Sequence, residues 1–173
     1  MTQHLTDQVR GWLTGRVPQD WFDGDLEVVV DREEITVVGR LRPVELAAGA
    51  SEAERTAAAA GRTKEFRERT RPQRIDIARE LEHRTGRKVA WGVDCDGRRE
   101  LFTTLSVPVM TRLRQQDRLV LDTLVQAGVA RSRSDALAWS VRLVGRHEQT
   151  WLAELREAMA AVERVRSQGP DAA

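Results

Sequence analysis

A single cysteine, Cys95, stands in a chain of 173 residues. It excludes an intramolecular disulfide and any multi-cysteine zinc site, and it fits a reducing cytoplasm. Histidine is scarce as well: His4, His83 and His147 lie far apart without metal-ligand spacing, and each reads as a surface residue. Long apolar runs are missing, none approaching the roughly 18 residues of a membrane span. The first residues, MTQHLTDQVRGW, lack the basic start and apolar core of a signal peptide. A cytoplasmic protein without membrane contact, metal or cofactor is expected. An excess of one charge is also lacking, since 28 basic side chains face 27 acidic ones for a net of +1. Global charge therefore gives no nucleic-acid signal, and any basic footprint must be local. No GxGxxG, phosphate loop, nucleophile elbow or zinc-protease motif occurs, and no enzyme is expected.

Arginine is abundant, supplying 26 of the 28 positive charges, and alanine is frequent too. Such a bias reads as a genome-wide codon preference, so an arginine carries information only through its position. The length allows one or two compact units.

Along the chain, Leu5, Val9, Trp12 and Leu13 fall at helical spacing before Gly15 and Pro18. Leu26 to Val30 and Ile35 to Val38 are β-branched runs around Asp31-Arg32-Glu33-Glu34, a hairpin with a four-residue connection. Three consecutive valines, Val28 to Val30, suggest a strand buried on both faces. Residues 43 to 61 are rich in alanine and glycine and read as a mobile connection, partly helical at most. Thr70-Arg71-Pro72 opens a helix whose buried stripe is Ile75, Ala78 and Leu81, with Gly86 as its C-terminal cap. Lys88 to Val93 and Glu100 to Ser106 read as two strands around the turn Asp94-Cys95-Asp96-Gly97. Asp94, Asp96 and Glu100 are explained by that turn without a cation. Trp12, Trp21, Phe22 and Trp91 either fill the core of this first domain or line an effector pocket.

The most informative stretch runs from 109 to 144. Across 109 to 114, alternation puts Val109, Thr111 and Leu113 on one face and Met110, Arg112 and Arg114 on the other. Gln116 to Gln126 has a wide apolar face of Leu119, Val120, Leu121, Leu124 and Val125, too large for a lone surface helix, and ends at Gly128. Ser132-Arg133-Ser134-Asp135 fits a capping box opening a second helix, whose core stripe is Ala136, Leu137, Ser140, Val141 and Val144. A helix start is also an anion site, because free amides and the dipole favour negative charge. Between 107 and 147, seven arginines face Asp117, Asp122 and Asp135, a local excess of +4. From 148 to 167, Trp151, Leu155, Met159, Val162 and Val165 form an apolar stripe on a further helix, and a disordered tail is expected after Gly169.

The pattern LDTLVQAG followed by SRSDAL, behind a basic alternating strand, resembles the ribbon-helix-helix (Arc/MetJ-type) DNA-binding family of bacterial repressors. That resemblance implies two chains pairing their strands and laying the ribbon in the major groove, with the second helix packing across the two-fold. Met110, Arg112 and Arg114 would read bases; Arg131, Ser132, Arg133 and Ser134 would contact the backbone.

The expectation is an α+β chain in three parts. A mixed ββαββ unit of unknown role over 1–106 precedes a dimeric ribbon-helix-helix module over 107–147 and an amphipathic helix with its tail over 148–173. The expected function is a sequence-specific DNA-binding transcription regulator, a repressor acting as a homodimer on double-stranded DNA, with an effector or protein partner at the N-terminal domain. The competing reading is a dimeric interaction adaptor or antitoxin-like partner that touches DNA incidentally, its toxin-binding arm within 148–167.

Overall fold

The computed structural model describes residues 2–168, so the expected tail from 169 onward lies outside the described residues. The chain is mixed α+β, with a four-stranded sheet and six helices among the described residues. It divides into two compact units between Pro108 and Val109.

The first unit runs α1 (Thr2–Arg16), β1 (Glu27–Val30), β2 (Glu34–Arg40), α2 (Glu52–Arg69), α3 (Arg71–Thr85), β3 (Lys88–Cys95) and β4 (Arg98–Leu101). Its sheet order is β1-β2-β3-β4, with β1 and β4 antiparallel to their neighbours and the central β2–β3 pair parallel. A parallel pair needs a long crossover. The helices α2 and α3 supply it, where the sequence pattern pointed to a single helix.

The β1–β2 hairpin forms where expected, Val30 pairing Ile35. Asp31 holds its turn, Oδ1 accepting from the backbone amides of Glu33 (2.8 Å) and Glu34 (2.6 Å). The three valines are not buried on both faces: Val28 and Val30 point into the core while Val29 is 53% exposed, since only one face of this edge strand is covered.

The alanine-rich stretch is more ordered than expected. From Glu52 on it is helical, and Ser51 caps it: the Glu54 amide donates to Ser51 Oγ (3.2 Å) and the Ser51 amide donates to Glu54 Oε2 (2.7 Å). Alanine is the strongest helix former, and small side chains let Ala59 and Thr63 lie close against the sheet beside Phe66.

In α3 the buried stripe is rotated from the expected one, comprising Arg74, Ile77 and Leu81 and leaving Ile75 exposed. Gly86, at φ +68°, ends the helix in the left-handed conformation. Asp96 (φ +55°) and Gly97 (φ +74°) make a two-residue turn, so Cys95 pairs directly with Arg98. The fourth strand therefore starts two residues earlier than expected and stops at Leu101.

Trp21, Phe22, Phe66 and Trp91 meet at the centre, Trp21 edge-on to Phe66 (5.6 Å) and to Trp91 (6.2 Å). Leu13, Ile35, Val37, Ile77, Leu81 and Val93 surround them. Of the four aromatics considered for an effector pocket, Trp21, Phe22 and Trp91 are thus core residues.

The second unit holds α4 (Gln115–Gln126), α5 (Arg133–His147) and α6 (Gln149–Gln168). Its buried core is small: Leu121, Ala130 and Ala136, with Leu113, Leu124, Val125 and Leu137 packed partly against them. Val141 and Val144, expected in the core, are exposed. The expected strand over 109–114 does not form: residues 103–114 carry no regular secondary structure and pair with no strand among the described residues.

Candidate nucleic-acid interface

Leu113 packs partly against the small core while Met110, Arg112 and Arg114 are exposed. Val109 (84%) and Thr111, expected on the core face, are exposed as well, since the segment is not a strand and nothing among the described residues of this unit covers them. The end of the segment is fastened to the start of α4. The Arg114 amide donates to Asp117 Oδ2 (3.2 Å), and Arg118 Nη1 donates to the Leu113 carbonyl (2.7 Å). The polar Asp117 and Arg118 at this helix start are thereby explained: they anchor the chain that enters the helix.

The turn between α4 and α5 is built on Gly128 (φ +74°), whose amide donates to the Val125 carbonyl, while the Val129 amide donates to Leu124. This folds Ala130 inward and delivers Arg131 and Ser132 to the start of α5. Ser132 is the N-cap, its Oγ accepting from the Asp135 amide (3.2 Å). The reciprocal bond differs from the expected box, because Asp135 Oδ2 accepts from the amide of Arg131 (3.0 Å) and not from that of Ser132. Asp135 thus clasps the turn one residue further back.

Arg133 does not project freely. Its Nε and Nη2 donate to Asp122 Oδ1 (2.6 Å) and Oδ2 (2.7 Å) on α4. These bonds to the Arg133 guanidinium, ahead of a small opposing cost of desolvation, hold the Asp122 carboxyl below the usual carboxylate range. Arg112, Arg114 and Arg131 have no carboxylate partner among the described residues, whereas Arg142 lies 3.9 Å from Asp135.

The structure brings Met110, Thr111 and Leu113 together with Arg133 and Ser134 around one shallow cavity of about 310 Å³, floored by Leu121 and Leu137. Arg131 and Ser132 sit at the adjoining turn. Of the expected site residues, Met110, Arg133 and Ser134 line this cavity, whereas Arg112, Arg114, Arg131 and Ser132 do not. The free arginines and the start of a capped helix can receive anionic oxygens. Among the described residues no group of three or more His, Cys, Asp or Glu side chains could hold a metal, and no helix is long and apolar enough to cross a membrane.

Residues 7–101 match the family described as Rv1265-like protein, N-terminal domain, and residues 114–166 match that described as Mb1296 C-terminal domain. Two curated relatives are called Uncharacterized protein Mb1296, from Mycobacterium bovis, and Uncharacterized protein Rv1265, from Mycobacterium tuberculosis. Each is 61% identical over 160 residues, a span covering 92% of this chain and 69% of the relative. No solved structure matches the chain.

Proposed function

The chain belongs to the Rv1265-like family, and from that premise we propose that it is a homodimeric, sequence-specific DNA-binding regulator of the ribbon-helix-helix kind, acting as a cytoplasmic repressor. The observation that carries the reading is the order in the second unit: an unpaired segment with Met110, Arg112 and Arg114 outward, then a helix, a glycine turn and the Ser132-capped helix. Two copies of 109–114 laid antiparallel would satisfy each other's backbone groups and turn Val109 and Thr111 inward beside Leu113. The outer face of that ribbon would enter a major groove about 12 Å wide, where each arginine making a bidentate bond to guanine contributes roughly 1–3 kcal/mol of discrimination. Phosphate anchoring falls to Arg131, Ser132 and Ser134, while Arg133 stays bound to Asp122 and supports them.

Gel shifts of the full chain against genomic fragments test this. Salt-sensitive binding that is lost in the Arg112→Ala/Arg114→Ala double variant supports the regulator. No shift at low salt, or a shift indifferent to both substitutions, rejects it. That result would favour the interaction adaptor, a reading supported by the exposed apolar stripe of α6, Trp151, Leu155, Met159, Val162 and Val165.

A further inference from the structure

The first unit carries a positively lined cavity of about 790 Å³, edged by Lys64, Arg67 and Arg71 and floored by Arg74 and Phe102. Its volume lies within the range of small-molecule sites. Arg74 is the unusual member, only 6% exposed on the buried face of α3. Buried arginines are ordinarily paired with a carboxylate, yet none pairs with this one among the described residues. Nε donates to Thr70 Oγ1 (2.9 Å) and Nη2 to the Arg67 carbonyl (2.7 Å), and the guanidinium stacks 4.7 Å from the Phe102 ring centroid. Those contacts engage Nε and Nη2 and fix its position.

The surroundings raise the local positive potential. Burial first, then the charges of Arg67 and Arg71, push the Arg74 guanidinium down to about 10. Arg67 lies 5.5 Å from the Phe102 centroid and 3.8 Å from Glu100. Lys64 and Arg71 have no ion-pair partner among the described residues. Glu68 and Glu100 also line the cavity, so four cations stand against two carboxylates. Arg74 also ties the last turn of α2 to α3 through its bonds to Thr70 and the Arg67 carbonyl, but Lys64 and Arg71 have no such structural task, since α2 and α3 are held to the sheet by Phe66, Ile77 and Leu81.

We propose that this cavity is a binding site for a small phosphoryl-bearing anion, received by Lys64, Arg67, Arg71 and Arg74. A phosphoryl group offers several oxygens in different directions and suits donors arriving from two helices, whereas a carboxylate matches one planar fork. The bound anion supplies the counter-charge that the buried guanidinium lacks. The site lies wholly within the first unit and does not depend on the second unit's contact with DNA.

Titration calorimetry of the full chain with inorganic pyrophosphate tests it. One saturable site is expected, weakened at least about tenfold by Lys64→Ala or Arg71→Ala, as the loss of one charge-assisted contact implies. Both side chains are exposed and unpaired, so the fold survives their loss, and thermal melting of the unliganded variants should match the parent. Arg32→Ala, on the β1–β2 turn, should leave binding unchanged. Absence of saturable binding overturns the proposal, as does binding equally insensitive to all three substitutions. Should the two cavity variants weaken duplex DNA binding and leave pyrophosphate binding intact, the cations belong to a nucleic-acid surface and the small-anion site is likewise overturned.

Discussion

Arg133, the first residue of α5, grips Asp122 of α4 through two parallel hydrogen bonds of 2.6 and 2.7 Å. The fork matches the carboxylate geometry and fixes the angle between the helices that flank the Gly128 turn. Because the folded state holds the Asp122 carboxyl below its ordinary value, the pair stabilises the fold above the unfolded carboxylate value. That contribution is lost as pH falls through the lowered folded one. Asp122→Asn is expected to speed amide hydrogen exchange across α4 and α5 at neutral pH. The difference from the parent should shrink toward strongly acidic pH, where the parent has also lost its carboxylate. Equal exchange at neutral pH would show that the two helices are held without this pair.

Phe22 lies across Gly39 so closely that a Cβ at that position would sit 2.2 Å from the ring. The ring packs against Trp21 and Phe66, so moving it away from a new methyl group disturbs those contacts. Gly39→Ala should therefore overpack the site and cost about 1–3 kcal/mol, lowering the melting temperature of the first unit by several degrees. An unchanged midpoint would mean that Phe22 has another rotamer to occupy.

How much of this was legible beforehand depends on whether a signal was local. The β1–β2 hairpin, the Gly86 cap and the Gly128 turn follow from a few neighbouring residues, and each formed where the chain indicated it. The helix α2 was obscured because Ala57 to Ala60 offer no apolar periodicity, although Ser51 and Glu54 already spelled a capping box. Arg74 was invisible, since a guanidinium on a core stripe breaks the rule that the stripe is apolar. The partner of Arg133 is eleven residues away, across a turn whose geometry no spacing rule gives, so its commitment to Asp122 emerged only from the fold. The alternation expected over 109–114 is absent, because Val109 and Thr111 are exposed along with Met110, Arg112 and Arg114, and Leu113 alone packs partly against the core.

Cys95 is 1% exposed at the end of β3, and burial pushes its thiol above the ordinary value. The thiolate is the reactive form, so the folded chain should react negligibly with an aromatic disulfide reagent at pH 8. One equivalent of thiol should appear on addition of denaturant. Rapid labelling of the native chain would reveal opening of the sheet edge at β4.

Within the proposed complex, base reading and backbone anchoring predict different mutant behaviour. Arg112→Ala should relax the preference among operator variants, costing about 1–3 kcal/mol on the best sequence and little on poor ones. Arg131→Ala should weaken all duplexes alike and reduce the slope of log affinity against log salt by about 1. Competition gel shifts across a salt series separate the two. If both substitutions lowered affinity uniformly, Arg112 would be a phosphate contact and the segment would not be the reading element.

Among the described residues the second unit buries Leu121, Ala130 and Ala136, while Val141 and Val144 of α5 and Trp151, Leu155 and Met159 of α6 are exposed. A unit of this size with so small a core needs another surface to cover it, and self-association is a common means. Each of those side chains gains roughly 1.5–3 kcal/mol on full burial, and burying several of them together can offset the cost of joining two chains. Sedimentation should accordingly find a dimer at micromolar concentration, with a melting temperature that rises with protein concentration. Trp151→Glu and Leu155→Glu together should shift the equilibrium toward monomer without unfolding the first unit, whose core is complete within itself. A parent chain that stays monomeric at about 10 μM, a concentration above the micromolar range in which the dimer is expected, would remove the second strand on which the ribbon depends.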